Sequence, residues 1–291
     1  MQTQAEKAET FRALHHRDHA FIIPNPWDVG TARLLETLGF EALATTSAGF
    51  AFSIGTPDGA VGREQMLAHA AQIAAATDLP VSADLENCYA DDPGGAADTV
   101  RLAAKAGLAG CSVEDVPEGR GRGPYELSLA AERVRAAAEA AHSMPFPFTL
   151  TARAENFIVG RPDLRDTIAR LQSFQEVGAD VLYAPGLKTR EEIVAVVRSV
   201  DRPVNVIMGL QGVQLNLDEL SEMGVKRISV GSALSRAALS TFYRAALEMK
   251  EHKTFTFAED ALKVRELNAM FEKWVCRLGD GARNYAGYYV G

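Results

Sequence analysis

Cysteine is scarce in this chain. Three thiols, Cys88, Cys111 and Cys276, are scattered over 291 residues, too few for a disulfide framework and wrongly spaced for a structural zinc site. No apolar run reaches the roughly 18 residues that a membrane-spanning helix needs. The opening MQTQAEKAETFRALHH lacks the apolar core of a signal peptide. Positive charge is also in short supply. A net charge of −8 argues against nucleic acid or an anionic membrane as the main partner, but local arginines can still hold an anionic substrate. The six histidines (His15, His16, His19, His69, His142 and His252) fall in predicted helices or near chain ends, which sets imidazole catalysis aside. No low-complexity segment or linker divides the chain. The expectation is one domain over 1–291 in a soluble, cytoplasmic protein.

What the chain does have is a rhythm. Short apolar runs at 20–25, 41–47, 79–86, 108–115, 148–155, 179–186, 202–208 and 225–231 read as buried strands. Helical patterns follow them at 27–39, 63–77, 94–106, 127–141, 163–177, 189–199, 217–223 and 232–250. Gly39, Gly107, Gly178 and Gly224 stand where helices should stop. Residues 48–62, with Gly49, Gly55, Pro57 and Gly59, read as a long loop. Eight strands alternating with helices predict an α/β fold, a parallel (β/α)8 barrel of the TIM type over 20–250. An N-terminal helix within 1–18 carries Phe11 and Leu14 on one face. The segment 252–291 is a helical extension with an apolar stripe of Leu262, Leu267, Met270, Phe271 and Trp274. A finished barrel does not need that stripe, so it is expected to cover the barrel floor or a neighbouring subunit.

Charge collects where the strands run out. PVSADLE, AGCSVEDV and FTLTARAE all end in ionisable residues, and in a barrel the C-terminal strand ends share one mouth. Asp84 and Glu86 are two apart, hence on one face of the strand as it leaves the barrel. Glu114 and Asp115 are adjacent and point opposite ways, so only one can join them. Paired carboxylates repel unless a cation or proton lies between them. Asp84, Glu86 and Glu114 are therefore candidate ligands for Mg²⁺ or Mn²⁺, with Arg153 beside them for an acidic substrate. The loop at 117–124, with its three glycines, is suited to a mobile lid, with Arg120 and Arg122 gripping an anion on closing.

Several segments together resemble the isocitrate lyase / phosphoenolpyruvate mutase superfamily over about 20–240. NPWDVGTARLLETLGFEALATTSAG, SADLENCYAD, GCSVEDV, TARAENFIVG and FQEVGADVLYAPG stand in the family's order and spacing. The resemblance implies a Mg²⁺- or Mn²⁺-dependent barrel that makes or breaks C–C or P–C bonds of 2-oxo or 2-hydroxy acids. It places Asp84, Glu86 and Glu114 around the metal and Arg153 on a substrate carboxylate. Thr46, Ser47 and Ala48 would supply hydroxyl and N–H donors, and Asp58 would lie near the substrate. It also implies a homodimer or homotetramer with C-terminal helices exchanged between neighbours.

The chain departs from the family pattern at informative places. Its carboxylate strand reads Asp84-Leu85-Glu86-Asn87-Cys88-Tyr89-Ala90, with Cys88 and Ala90 where the family commonly has glycine. The lid at 117–124 lacks the Cys that serves the isocitrate and methylisocitrate lyases as acid–base. Cys88 reads as a small buried thiol rather than its substitute. Tyr183-Ala184-Pro185-Gly186 lacks the His of the phosphonate branches. What remains is chemistry that a metal and Arg153 can perform, with Glu155, Tyr89 or a bound water as the base. The expected function is a metal-dependent C–C lyase or decarboxylase for a small 2-oxo or 2-hydroxy dicarboxylate. The alternatives are a phosphonopyruvate-type hydrolase and a barrel that binds 2-oxo acids without turnover.

Overall fold

The computed structural model describes residues 2–117 and 123–275. Its strands are β1 (Phe21–Ile23), β2 (Leu43–Ala44), β3 (Val81–Asp84), β4 (Gly110–Glu114), β5 (Thr149–Arg153), β6 (Val181–Tyr183), β7 (Val204–Ile207) and β8 (Arg227–Ser229). All are parallel, in the order β1-β8-β7-β6-β5-β4-β3-β2. The two ends of that order meet: Ala44 N–H donates to Pro24 O at 3.1 Å, and Asn25 Nδ2 donates to Thr45 O at 3.0 Å. The result is the expected (β/α)8 barrel, nearly closed. Parallel strands are covered on both faces, which is why all five residues of β4 are buried, Glu114 included.

The helices are α1 (Gln4–His15), α2 (Val29–Thr37), α3 (Ser47–Ser53), α4 (Arg63–Ala76), α5 (Pro93–Lys105), α6 (Leu127–His142), α7 (Leu164–Glu176), α8 (Arg190–Arg198), α9 (Leu217–Glu222), α10 (Ala233–Glu251) and α11 (Val264–Val275). Helix α1 plugs the N-terminal end of the barrel. Phe11, His15 and Phe21 meet there edge to face, with centroids 4.7 and 5.1 Å apart around His15. The expected loop at 48–62 begins instead as helix α3. Thr46 Oγ1 accepts the Gly49 N–H at 3.2 Å and caps it. Gly49 allows that tight entry, because a Cβ there would lie 2.5 Å from Thr46 Cγ2.

The C-terminal part departs from expectation. Helix α10 forms as predicted, yet Ser235 is its only buried residue, and Phe242 and Tyr243 are 73% and 64% exposed. Helix α11 returns to the outside of the barrel. Thr37 Oγ1 donates to Met270 O at 3.3 Å, and the Arg33 guanidinium lies 5.1 Å from the centre of the buried Trp274 ring. The apolar stripe thus packs on α2 rather than on the barrel floor, which α1 already fills. Leu262 lies outside the helix and is 56% exposed. Among the described residues, no helix is long and apolar enough to cross a membrane.

Candidate active site

Strand register draws the site as one row. Glu114 pairs with Arg153, Arg153 with Tyr183, Tyr183 with Asn205, and Asn205 with Arg227. These positions face inward, where a barrel without a site stacks branched apolar residues. They line a cavity of about 210 Å³, room for a small acid. Thr46, Ser47 and Ala48 line it too, as do Asp58, Asp84 and Glu155.

Arg153 is the node. Its Nη1 lies 2.9 Å from both Asp84 Oδ1 and Glu114 Oε1, and its Nε donates to Glu155 Oε1 at 2.7 Å. The Tyr183 ring centre is 4.9 Å from the guanidinium. Burial pulls the Arg153 pKa down, but Glu114, Glu155 and Asp84 together outweigh it and hold the group charged. Asp84 is fixed from the other side: its Oδ2 accepts from Ser47 N at 3.2 Å and Ser47 Oγ at 2.9 Å. Asp115 turns outward as expected and ion-pairs with Arg170 at 3.1 Å. It also accepts the Glu155 N–H at 2.8 Å, which positions that residue.

Glu86 is not among the residues that line the cavity. The two-apart reading requires extended backbone through residue 86, but β3 ends at Asp84. The chain then turns through left-handed conformations at Glu86 (φ 50°), Cys88 (φ 62°) and Tyr89 (φ 55°). Each non-glycine residue held there costs on the order of 1–2 kcal/mol. The buried Arg133 holds the turn. It donates to Glu114 O at 2.9 Å, Ala90 O at 2.9 Å and Asn87 O, while stacking 4.4 Å from the Tyr125 ring centre. Cys88, a position where the family commonly has glycine, is fully buried, and burial pushes its thiol up to about 12. The Tyr89 phenol is driven far above its usual value by burial and by Glu86 and Asp84. Tyr89 is not among the residues that line the cavity, whereas Glu155 is. Arg120 and Arg122 lie outside the described residues.

Sequence reading missed Asn25, Tyr183, Asn205, Arg227 and Ser229, all on the cavity wall. The available signal was a polar residue on the inward period of an otherwise apolar strand, as in RPVNVIM and VKRISVG.

The donors present suit a divalent cation. The wall carries four carboxylates (Asp58, Asp84, Glu114 and Glu155) against two guanidiniums (Arg153 and Arg227), a formal charge of −2 with all ionised. Among the described residues, no three His, Cys, Asp or Glu side chains converge as a ready-made metal cluster. A hydrated Mg²⁺, held partly through water, would be compatible with Asp84 and Glu114 on this wall.

The phosphoenolpyruvate phosphomutase family model matches residues 11–250. A Burkholderia cenocepacia structure, provisionally described as a lyase/mutase, is 58% identical, with a TM-score of 0.90 over 92% of this chain and 96% of that one. 2,3-Dimethylmalate lyase, of the same superfamily, is 25% identical, with a TM-score of 0.84 over 97% and 99%. Among curated relatives, an oxaloacetate decarboxylase of Pseudomonas savastanoi is 26% identical over 83% of this chain and 84% of its own length.

Proposed function

This chain belongs to the phosphoenolpyruvate phosphomutase family of the isocitrate lyase superfamily, and from that premise we propose a metal-dependent carbon–carbon lyase or decarboxylase. Its substrate is a small 2-oxo or 2-hydroxy dicarboxylate. The observation that carries the reading is Arg153, charged and shared by Asp84, Glu114 and Glu155 inside one small cavity. Relatives named for oxaloacetate decarboxylation and dimethylmalate cleavage support it.

Asp84 and Glu114 would hold Mg²⁺ or Mn²⁺, which when bound supplies positive charge beside the substrate carbonyl. Arg153 presents a planar donor fork to a substrate carboxylate, which exchanges for one of its present partners. Ser47 and the adjoining Thr46 and Ala48 place hydroxyl and N–H donors at the same wall. Glu155, oriented by Arg153 Nε and by Asp115 through its own N–H, takes or returns the proton that bond cleavage requires. Asp58 lies on the same wall, where it would be near the substrate. The stretch after β6 offers no imidazole, which counts against P–C chemistry.

The protein acts as a homo-oligomer, dimer or tetramer. The exposed apolar residues Leu239, Phe242 and Tyr243 on α10 support this reading, since a second copy would bury them. The test of function is NMR monitoring of 2-oxo and 2-hydroxy diacids with Mg²⁺. Wild type is expected to consume one of them and Asp84→Ala to leave it intact. Equal rates in both proteins would overturn the site.

A further inference from the structure

Arg227 differs from Arg153 in one decisive respect: among the described residues it is a buried cation with no anion beside it. Only 5% of the residue is exposed. Its Nε donates to Asn205 Oδ1 at 2.8 Å, and its Nη1 is buried without a hydrogen-bond partner. Among the described residues, no carboxylate pairs with it. Nor do Tyr183 and His15 beside it carry negative charge at neutral pH. Burial pushes the Tyr183 phenol up to about 12, and burial holds His15, below the barrel floor, down to about 3. Ser229 accepts from Asn205 Nδ2 at 3.0 Å and adds no charge. Burial, with Arg153 repelling it, lowers the Arg227 pKa to about 10, so the residue is still a cation at physiological pH. A buried charge left unpaired is expensive. This one lies on the wall of the same cavity as Arg153, two strands along the same register row from Tyr183.

We infer that Arg227 is the anchor for a second carboxylate of the substrate, which therefore lies along the barrel axis. Its reacting end is at Asp84 and Arg153, and its distal anion is at the floor on Arg227. The inference rests on the diacid reading above and assigns the selectivity for a diacid over a monoacid to one residue. Asn205, through its bond to Nε, is a positioning residue.

The experiment is calorimetric titration, with Mg²⁺ present, of malate and of 2-hydroxybutyrate, which share a carbon skeleton and differ by the distal carboxylate. Wild type should bind malate at least tenfold more tightly, a ratio within reach of one charge-assisted hydrogen-bonding pair. Arg227→Met should bring the two acids within about threefold, with 2-hydroxybutyrate affinity kept. Asn205→Asp supplies an internal counter-ion while keeping the cation. It should abolish the preference and raise the melting temperature, and it reads the anchor even if Arg227→Met fails to fold. A tenfold preference surviving in either variant, or no preference in wild type, overturns the anchor while leaving the diacid reading standing. Binding of neither acid by wild type sinks that reading and the anchor with it.

Discussion

Arg153 Nη1 and Asp84 Oδ1 stand 2.9 Å apart across the barrel mouth, tying β5 to β3. The same nitrogen reaches Glu114, so one cation stands among acids from neighbouring strands. Arg153→Met would leave Asp84, Glu114 and Glu155 without their shared partner. The expected cost is roughly 3–5 kcal/mol in urea unfolding. Turnover should fall by roughly a hundredfold or more. Arg153→Lys should recover part of the stability but little activity, because it lacks the planar fork.

Metal removal should be visible without any substrate. Saturating Mg²⁺ or Mn²⁺, at about 100 times its dissociation constant, stabilises a native state by about 2.7 kcal/mol. For a chain of 291 residues that corresponds to a rise in melting temperature of about 4–5 °C over an EDTA control. In Asp84→Asn the difference should vanish. An unchanged metal response in that variant would remove Asp84 from the ion's ligands.

Cys88 is buried, with its thiol held far from ionisation. Native protein should resist a thiol-specific reagent until it is unfolded. Cys88→Ala should retain activity within about twofold, since the left-handed turn is held by Arg133 rather than by the sulfur. A loss of several orders of magnitude would make Cys88 the missing acid–base after all.

His15 gives a pH signature. Burial, then the nearby Arg227 charge, lowers its pKa from 6.5 to about 3. Between those values the unfolded chain binds a proton that the native state refuses. Stability should therefore fall with acidification through that window, by about 1.4 kcal/mol per pH unit from this one group. His15→Leu should make the slope of urea midpoint against pH shallower by close to one proton. An unchanged slope would place the acid sensitivity elsewhere.

The barrel and most of its mouth were written in local pattern. Eight apolar runs of strand length, each followed by helical periodicity, specify alternation. Once alternation closes, Asp84, Glu114 and Arg153 converge because strand ends share a face. That much depends only on period and order, which a sequence carries directly. Tertiary structure decided what depends on backbone angles and on neighbours distant in sequence. Glu86 is absent from the cavity wall because β3 ends at Asp84 and Arg133, some forty residues away, clamps the Asn87 and Ala90 carbonyls in a turn that no two-residue period predicts. Arg227 entered it because barrel closure carries the start of β8 beneath the mouth, where a cation's role depends on which charges surround it. Helix α10 bares its apolar face because packing partners, unlike helical periodicity, are not a local property of the chain.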